Sequence, residues 1–209
     1  MAHRALTHRR IREAAKSLFR EHGVVSTTMD QIAVAAGVSR PTVYVYFRDK
    51  EAVLEDLAHA YAEHAQVVNR AFPGPEPTLA QIRAWLEVKV AFYREERISL
   101  AMLYQAGHGS SGEPPPVLRD LMDAVLEAYA ARVPAFRIAL EPGPHQPHAR
   151  VRAENLVRQM TWACEFCARD GFTPSHMAAL DITAEAFAQL LDHFALLRAA
   201  QATPSGADA

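Results

Sequence analysis

Several things are scarce in these 209 residues. There are two cysteines, Cys164 and Cys167, too few to staple a secreted scaffold and in keeping with a reducing compartment. No run approaches the ~20 consecutive apolar residues that cross a bilayer, and the first ten residues lack the apolar core of a signal peptide, so a cytoplasmic chain is expected. Stretches of alternating β-branched residues bounded by tight turns are missing too, which argues against a sheet. So are the nucleophile elbow, the phosphate loop, the dinucleotide fingerprint and the metalloprotease histidine pair. An enzyme would therefore lack a visible catalytic centre, and no cofactor is expected.

What is present is apolar residues, 50% of the chain, at helical spacing nearly throughout. The fold class is all-α. Charge is unevenly spread: residues 1–50 hold 9 Lys+Arg against 4 Asp+Glu, and the remainder holds 13 against 20. A head of +5 precedes a body of −7, a split expected when one end meets a polyanion. A merely solvated basic face is the plainer alternative.

In the head, Ile11, Ala15, Leu18 and Phe19 line one face of a helix over about 5–22, stopped by Gly23. Thr28 and Gln31 have capping-box spacing and open a short second helix ending at Gly37. Ser39 is a good N-cap for a third, with Pro41 in its first turn, ending near Tyr46 and Phe47. Asp49 caps a fourth helix whose Val53, Leu54, Leu57 and Tyr61 face a core, and which runs to about 72 before the Pro-rich break at 73–77. Further helices are expected over 78–94, 98–105, 117–140 (interrupted near Pro134), 149–170 and 173–200, with a loop at 107–116, a break at 142–147 and a disordered tail at 202–209.

Two short helices joined at Gly37, Val38 and Ser39 let the second lie in a DNA major groove. Ile32, Ala36 and Val43 supply a small core, while Arg40, Thr42, Tyr44 and Tyr46 point outward with hydrogen-bonding reach. Lys50 lies beside the positive end of the fourth helix, where an anion is attracted. Phe47 reads as core, and Tyr44 has a core reading beside its groove reading. His3, Arg4, His8, Arg9 and Arg10 form either an arm reaching phosphates or the minor groove, or a solvated tail.

About 50 consecutive residues, from Ile11 through Gly23, Thr27 to Ala33, Ala36 to Phe47 and Asp49 to Leu54, resemble the N-terminal domain of the tetracycline-repressor (TetR) family in order and spacing. The resemblance implies an operator-binding N-terminal helix-turn-helix domain (1–50, with a connecting helix over about 50–72). It implies a C-terminal helical domain (51–201) that forms a homodimer and holds a small-molecule effector. By position, Arg40, Pro41, Thr42, Tyr44 and Val45 face the groove, and Thr28, Tyr46 and Lys50 anchor phosphates. Valine offers only contact with a thymine methyl. The implied activity is a repressor released from palindromic double-stranded DNA by ligand.

In the body, Trp85, Phe92, Met102, Tyr104 and Met122 are candidates to line a mostly apolar effector pocket, together with Tyr129, Met160, Trp162 and Phe166. Ordinary core packing is the competing reading for each. Leu156, Val157, Met160 and Cys164 on one late helix, and Phe187, Leu190, Leu191, Phe194 and Leu197 on the last, form apolar stripes suited to a four-helix dimer interface. Cys164 and Cys167 share a helical face and open an alternative, a metal- or thiol-responsive regulator with His176 or His193, although two further close ligands are not evident and no metal is expected. A helical adaptor is a further alternative, but it has no use for a basic helix-turn-helix.

Overall fold

The computed structural model describes residues 2–96, 116–170 and 173–202, and in these the chain is helical with no strand. The helices are α1 (Ala2–His22), α2 (Met29–Ala36), α3 (Arg40–Tyr46), α4 (Lys50–Arg70), α5 (Leu79–Glu96), α6 (Pro116–Arg132), a 3-10 helix (Pro134–Ala139), α7 (Gln146–Asp170) and α8 (Pro174–Ala202). The helix expected over 98–105, the loop at 107–115 and the tail from 203 lie outside the described residues. Among the described residues no helix is long and apolar enough to cross a membrane. The chain divides into two units, residues 1–64 with 96–120, and residues 65–95 with 121–209.

In the first unit, Ile11, Ala15 and Phe19 recur every four residues along α1 and are fully buried. α1 packs on α2, and α2 on α3. Ile32, Ala33, Ala36 and Val43 come from the two short helices, and Val53, Leu54, Leu57 and Tyr61 from α4. Gly23 takes a positive φ of 78°, and its N–H returns to Phe19 O at 3.0 Å, which ends α1. α1 starts at Ala2 rather than near residue 5. The segment read as an arm or a tail is therefore helix.

The second unit is built on aromatic packing. Phe72, Trp85, Tyr129 and Phe187 pack with ring centroids 4.8 to 6.0 Å apart, and Phe136 joins Tyr129 and Phe194 at 5.5 Å. Such offset and edge contacts add about 0.5–1.5 kcal/mol per pair beyond area burial. α7 and α8 pack together and against the 3-10 helix, which forms where Pro134 forbids the continuation of α6. Thr78 and Gln81 reproduce the reciprocal cap that opens α2: Thr78 N donates to Gln81 Oε1 at 2.9 Å and Gln81 N to Thr78 Oγ1 at 3.3 Å. α7 begins at Gln146, three residues earlier than expected, because Pro147 in the first turn loses no intrahelical bond.

Candidate functional site

The helix-turn-helix is assembled by local rules. At its entrance Thr28 N donates to Gln31 Oε1 at 2.8 Å and Gln31 N donates to Thr28 Oγ1 at 3.2 Å, completing the capping box. At its turn Gly37 adopts φ 63°, ψ 40°, and Val38 N returns to Ala33 O at 3.0 Å, which satisfies the carbonyls at the end of α2. Ser39 Oγ then accepts from Thr42 N at 3.2 Å and starts α3 with Pro41 in the first turn.

α3 is only seven residues long, and two side chains four apart hold it down: Val43 is fully buried, and Phe47, at the C-cap, is 3% exposed. The opposite face is thereby forced outward. Arg40 and Pro41 are exposed, Tyr44 is 43% exposed and Val45 70%, whereas Thr42 and Tyr46 are half-buried. The groove reading of Tyr44 thus agrees with its exposure, and Phe47 is in the core.

Arg40 is held by exposed contacts alone. Its Nε donates to Asp30 Oδ1 at 2.9 Å and its guanidinium lies 5.8 Å from the Tyr44 ring centroid. An ion pair this exposed is worth only about 0–1 kcal/mol, so a nucleic-acid acceptor can displace Asp30 at little cost. Asp30 was missed in the sequence; its first-turn position on α2 explains it as a helix-dipole residue without pointing at α3.

Three basic residues do work that spacing does not reveal. Arg10, read as part of an arm or of a solvated tail, donates through Nη2 to Ala36 O at 2.7 Å and to Gly37 O at 3.3 Å, so it clamps the turn. His8 packs on Phe47 with centroids 4.9 Å apart and the rings tilted, and meets Asp56 Oδ1 at 3.2 Å. Lys50 Nζ donates to Val25 O at 3.1 Å and Thr27 O at 3.0 Å, committing two of its three protons to the loop before Thr28. That loop is fixed from the other side by the buried Thr27, whose Oγ1 donates to Gly23 O at 2.8 Å. Lys50 is therefore a brace for the loop, with one proton left for an anion.

In the second unit the expected pocket residues separate. Trp85, Phe92, Tyr129 and Met160 are buried, Met122 and Phe166 are half-buried, and Met102 and Tyr104 lie outside the described residues. Trp162 is 64% exposed and stacks on Phe166 at 5.5 Å, so it lines no interior pocket. Of the expected dimer stripes, Leu156, Val157, Met160, Phe187, Leu190, Leu191 and Phe194 are buried within the single chain, and Leu197 is half-buried. The largest apolar faces of α7 and α8 went to the chain's own core, which helical periodicity alone cannot tell from a face awaiting a partner.

Cys164 and Cys167 are buried. Cys164 Sγ lies 3.9 Å from Leu86 O, and burial pushes its thiol up to about 12. Cys167 Sγ lies 3.5 Å from the carbonyl of His176, not its ring, and His176 Nδ1 accepts from Thr173 N at 3.1 Å. No group of three metal-binding side chains occurs among the described residues. A thiol so reluctant to ionise is a poor nucleophile and a poor metal ligand.

A buried polar cluster in this unit escaped the sequence reading. Lys89 is 3% exposed, and its Nζ donates to Asn69 Oδ1 at 2.7 Å and sits 5.0 Å from the Trp85 ring centroid. The Tyr129 hydroxyl donates to the same Asn69 oxygen at 3.3 Å. Burial lowers the Lys89 pKa to about 8. The signal was present: Lys89 continues the buried stripe Ile82, Trp85, Leu86 and Tyr93 on α5.

Residues 11–57 match the profile of the bacterial regulatory proteins of the tetR family. The HTH-type transcriptional regulator AcrR of Shigella flexneri is 39% identical over 51 residues, 24% of this chain and 24% of that protein, so the match spans about a quarter of that relative's length. The HTH-type transcriptional regulator TtgW of Pseudomonas putida, itself uncharacterized, is 34% identical over 105 residues, 47% of this chain and 74% of that protein. In fold, GusR of Salmonella enterica superposes with a TM-score of 0.64 at 20% identity, covering 88% of this chain and 95% of that one. A TetR-like regulator from Rhodococcus sp. RHA1 gives 0.60 at 19% identity, covering 94% and 97%. These solved structures share the all-helical fold, and the chain belongs to the TetR family of DNA-binding transcriptional regulators.

Proposed function

We propose that the protein is a cytoplasmic, homodimeric repressor that grips a palindromic operator and is released by a small, mostly apolar molecule bound in the body. The observation that carries the DNA half is the forced outward face of α3. With Val43 and Phe47 buried, Arg40, Pro41, Thr42, Tyr44 and Val45 are what a major groove would meet. Arg40 trades Asp30 for a base edge, Tyr46 and Thr28 contact phosphates, and Lys50 offers its remaining proton to one.

A second copy supports this reading because a seven-residue helix reaches few bases, and two related heads double the contacts. The surface proposed for it is the outer face of α7 and α8, where Val151 and Trp162 lie eleven residues apart and Ile182 (59% exposed) and Leu196 (71% exposed) fourteen apart. Both spacings return close to the same side of a helix. Sedimentation should give a dimer, and Trp162→Glu should dissociate it; a wild-type monomer at micromolar concentration contradicts the assignment.

For the response, the aromatic and thioether side chains of the body, Trp85, Phe92, Tyr129 and Met160 among them, supply apolar contact. Ligand must favour the conformer whose two heads no longer match the operator, since equal affinity for both conformers shifts nothing. The relatives are transcriptional regulators, and a catalytic role is no part of the reading. The test is fluorescence anisotropy on operator and random duplexes. Tyr46→Phe should weaken both alike, whereas Arg40→Ala and Thr42→Ala should change preference between them. Uniform loss on both duplexes from every variant contradicts the division into anchors and readers.

A further inference from the structure

Asn69, Lys89, Tyr129 and Cys164 come from α4, α5, α6 and α7, and each is more than nine-tenths buried. Lys89 is the only lysine or arginine among the buried residues described. Its ammonium has three protons, and among the described residues its hydrogen-bond acceptor is one neutral amide oxygen, shared with the Tyr129 hydroxyl, with no carboxylate in salt-bridge range. Neither nearby acid can supply a charge at neutral pH: burial pushes the Cys164 thiol up to about 12 and holds the Tyr129 phenol well above its ordinary value. Trp85, on the same helix as Lys89, and Asn69 opposite it carry no charge.

An ammonium so placed is costly to bury and poorly repaid. A methionine would extend the same stripe and fit among Trp85, Leu86 and Tyr129 without that cost, so packing alone does not explain the lysine. The surroundings suit one kind of guest. The cation lies 5.0 Å from the Trp85 ring centroid, and Phe72, Tyr129 and Phe187 pack on that ring in turn. A phosphate dianion calls for several cations or backbone N–H groups, and a single buried lysine matches a monoanion.

We infer that Lys89 is the receptor for the carboxylate of a small apolar effector whose body packs on the Trp85, Tyr129 and Phe187 rings, with Asn69 holding the ammonium in the unliganded chain. This rests on the reading that the body binds an effector, and it names the effector's chemical class. A bound carboxylate completes the hydrogen bonds that Asn69 alone leaves open and neutralises the charge. Because Lys89 loses its proton near pH 8 in the free protein, affinity for the carboxylate holds below that pH and falls above it, by up to about tenfold per unit.

The test uses the intact 209-residue chain with phenylacetate and decanoate as probes, each beside its neutral primary amide, measured by calorimetry and thermal shift on wild type, Lys89→Met and Lys89→Gln. The expected result is that carboxylates bind wild type at least about tenfold more tightly than their amides, that both variants lose this preference while still binding the amides, and that Lys89→Met unfolds at the same or a higher temperature. A lysine that merely props Asn69 gives the opposite pattern: Lys89→Met unfolds earlier, and acid and amide binding fall together. Amides bound as well as or better than carboxylates by wild type overturn the inference and leave an uncharged effector. Binding of neither class at millimolar concentration overturns the inference and the effector reading together.

Discussion

The head and the body of this chain are both helical, yet they are specified in different ways. The head is punctuated: Thr28 with Gln31, Gly37, Ser39 and Asp49 each fix an element boundary through hydrogen bonds three or four residues away. The body consists of long helices whose apolar residues cover much of their circumference, and its core is a mutual packing of rings that come from residue 72 to residue 194. A region specified by local contacts can be read from one sequence; a region specified by distant ones cannot.

That contrast makes graded predictions. The largest effect belongs to the aromatic core: Phe187→Ala removes a fully buried ring in contact with Phe72, Trp85 and Tyr129, and should cost about 3–5 kcal/mol in urea unfolding. A loss under ~1 kcal/mol would mean that the body's core lies elsewhere. Next comes Lys89. It is protonated up to pH 10.5 in the unfolded chain but only to about 8 in the folded one. Between those values the unfolded chain binds more protons, so wild type should gain stability with rising pH, by roughly 3 kcal/mol relative to Lys89→Met, with no gain below pH 8. Parallel stability profiles for the two proteins would place Lys89 in water.

Smaller effects separate the parts of the head. Gly37→Ala forces a side chain into a left-handed conformation and brings its Cβ to 2.8 Å from Arg10 Nη2, the group that clamps the turn. It should cost about 1–2 kcal/mol by thermal unfolding and weaken DNA binding, since it displaces the clamp as well as straining the backbone. Ser39→Ala removes the cap of α3 and should cost about 1 kcal/mol on the same assay, with Ser39→Gly milder. Least of all, Asp30→Ala should leave stability within ~0.5 kcal/mol while altering DNA affinity, because it frees Arg40. An unfolding change as large as that of Ser39→Ala would show the pair to be structural.

The same contrast explains how much was legible. The all-helical class, the helix starts at Thr28, Ser39, Thr78 and Thr173, and the burial of Val43 and Phe47 all follow from rules that act within a turn of helix. The outward set on α3 follows from them, because once Val43 and Phe47 point inward the rest of a seven-residue helix has nowhere else to go. Contacts between distant residues were not legible: Arg10 on the turn 26 residues later, Lys50 on the loop 23 and 25 residues earlier, and Arg40 on Asp30. In the body the limit is different. Leu156, Phe187 and Phe194 have the spacing of an interface and also of a core, and only folding decides between them; the exposed Trp162 took the reverse course, from pocket candidate to surface.

The central claim is that the outward face of α3 reads DNA sequence. Selecting bound duplexes from a random pool with the 209-residue chain, and repeating the selection with Arg40→Ala, tests it most directly. The account predicts a palindromic consensus for wild type and a relaxed preference at one base pair in each half-site for the variant. An identical consensus from both proteins, or none from wild type, would contradict it.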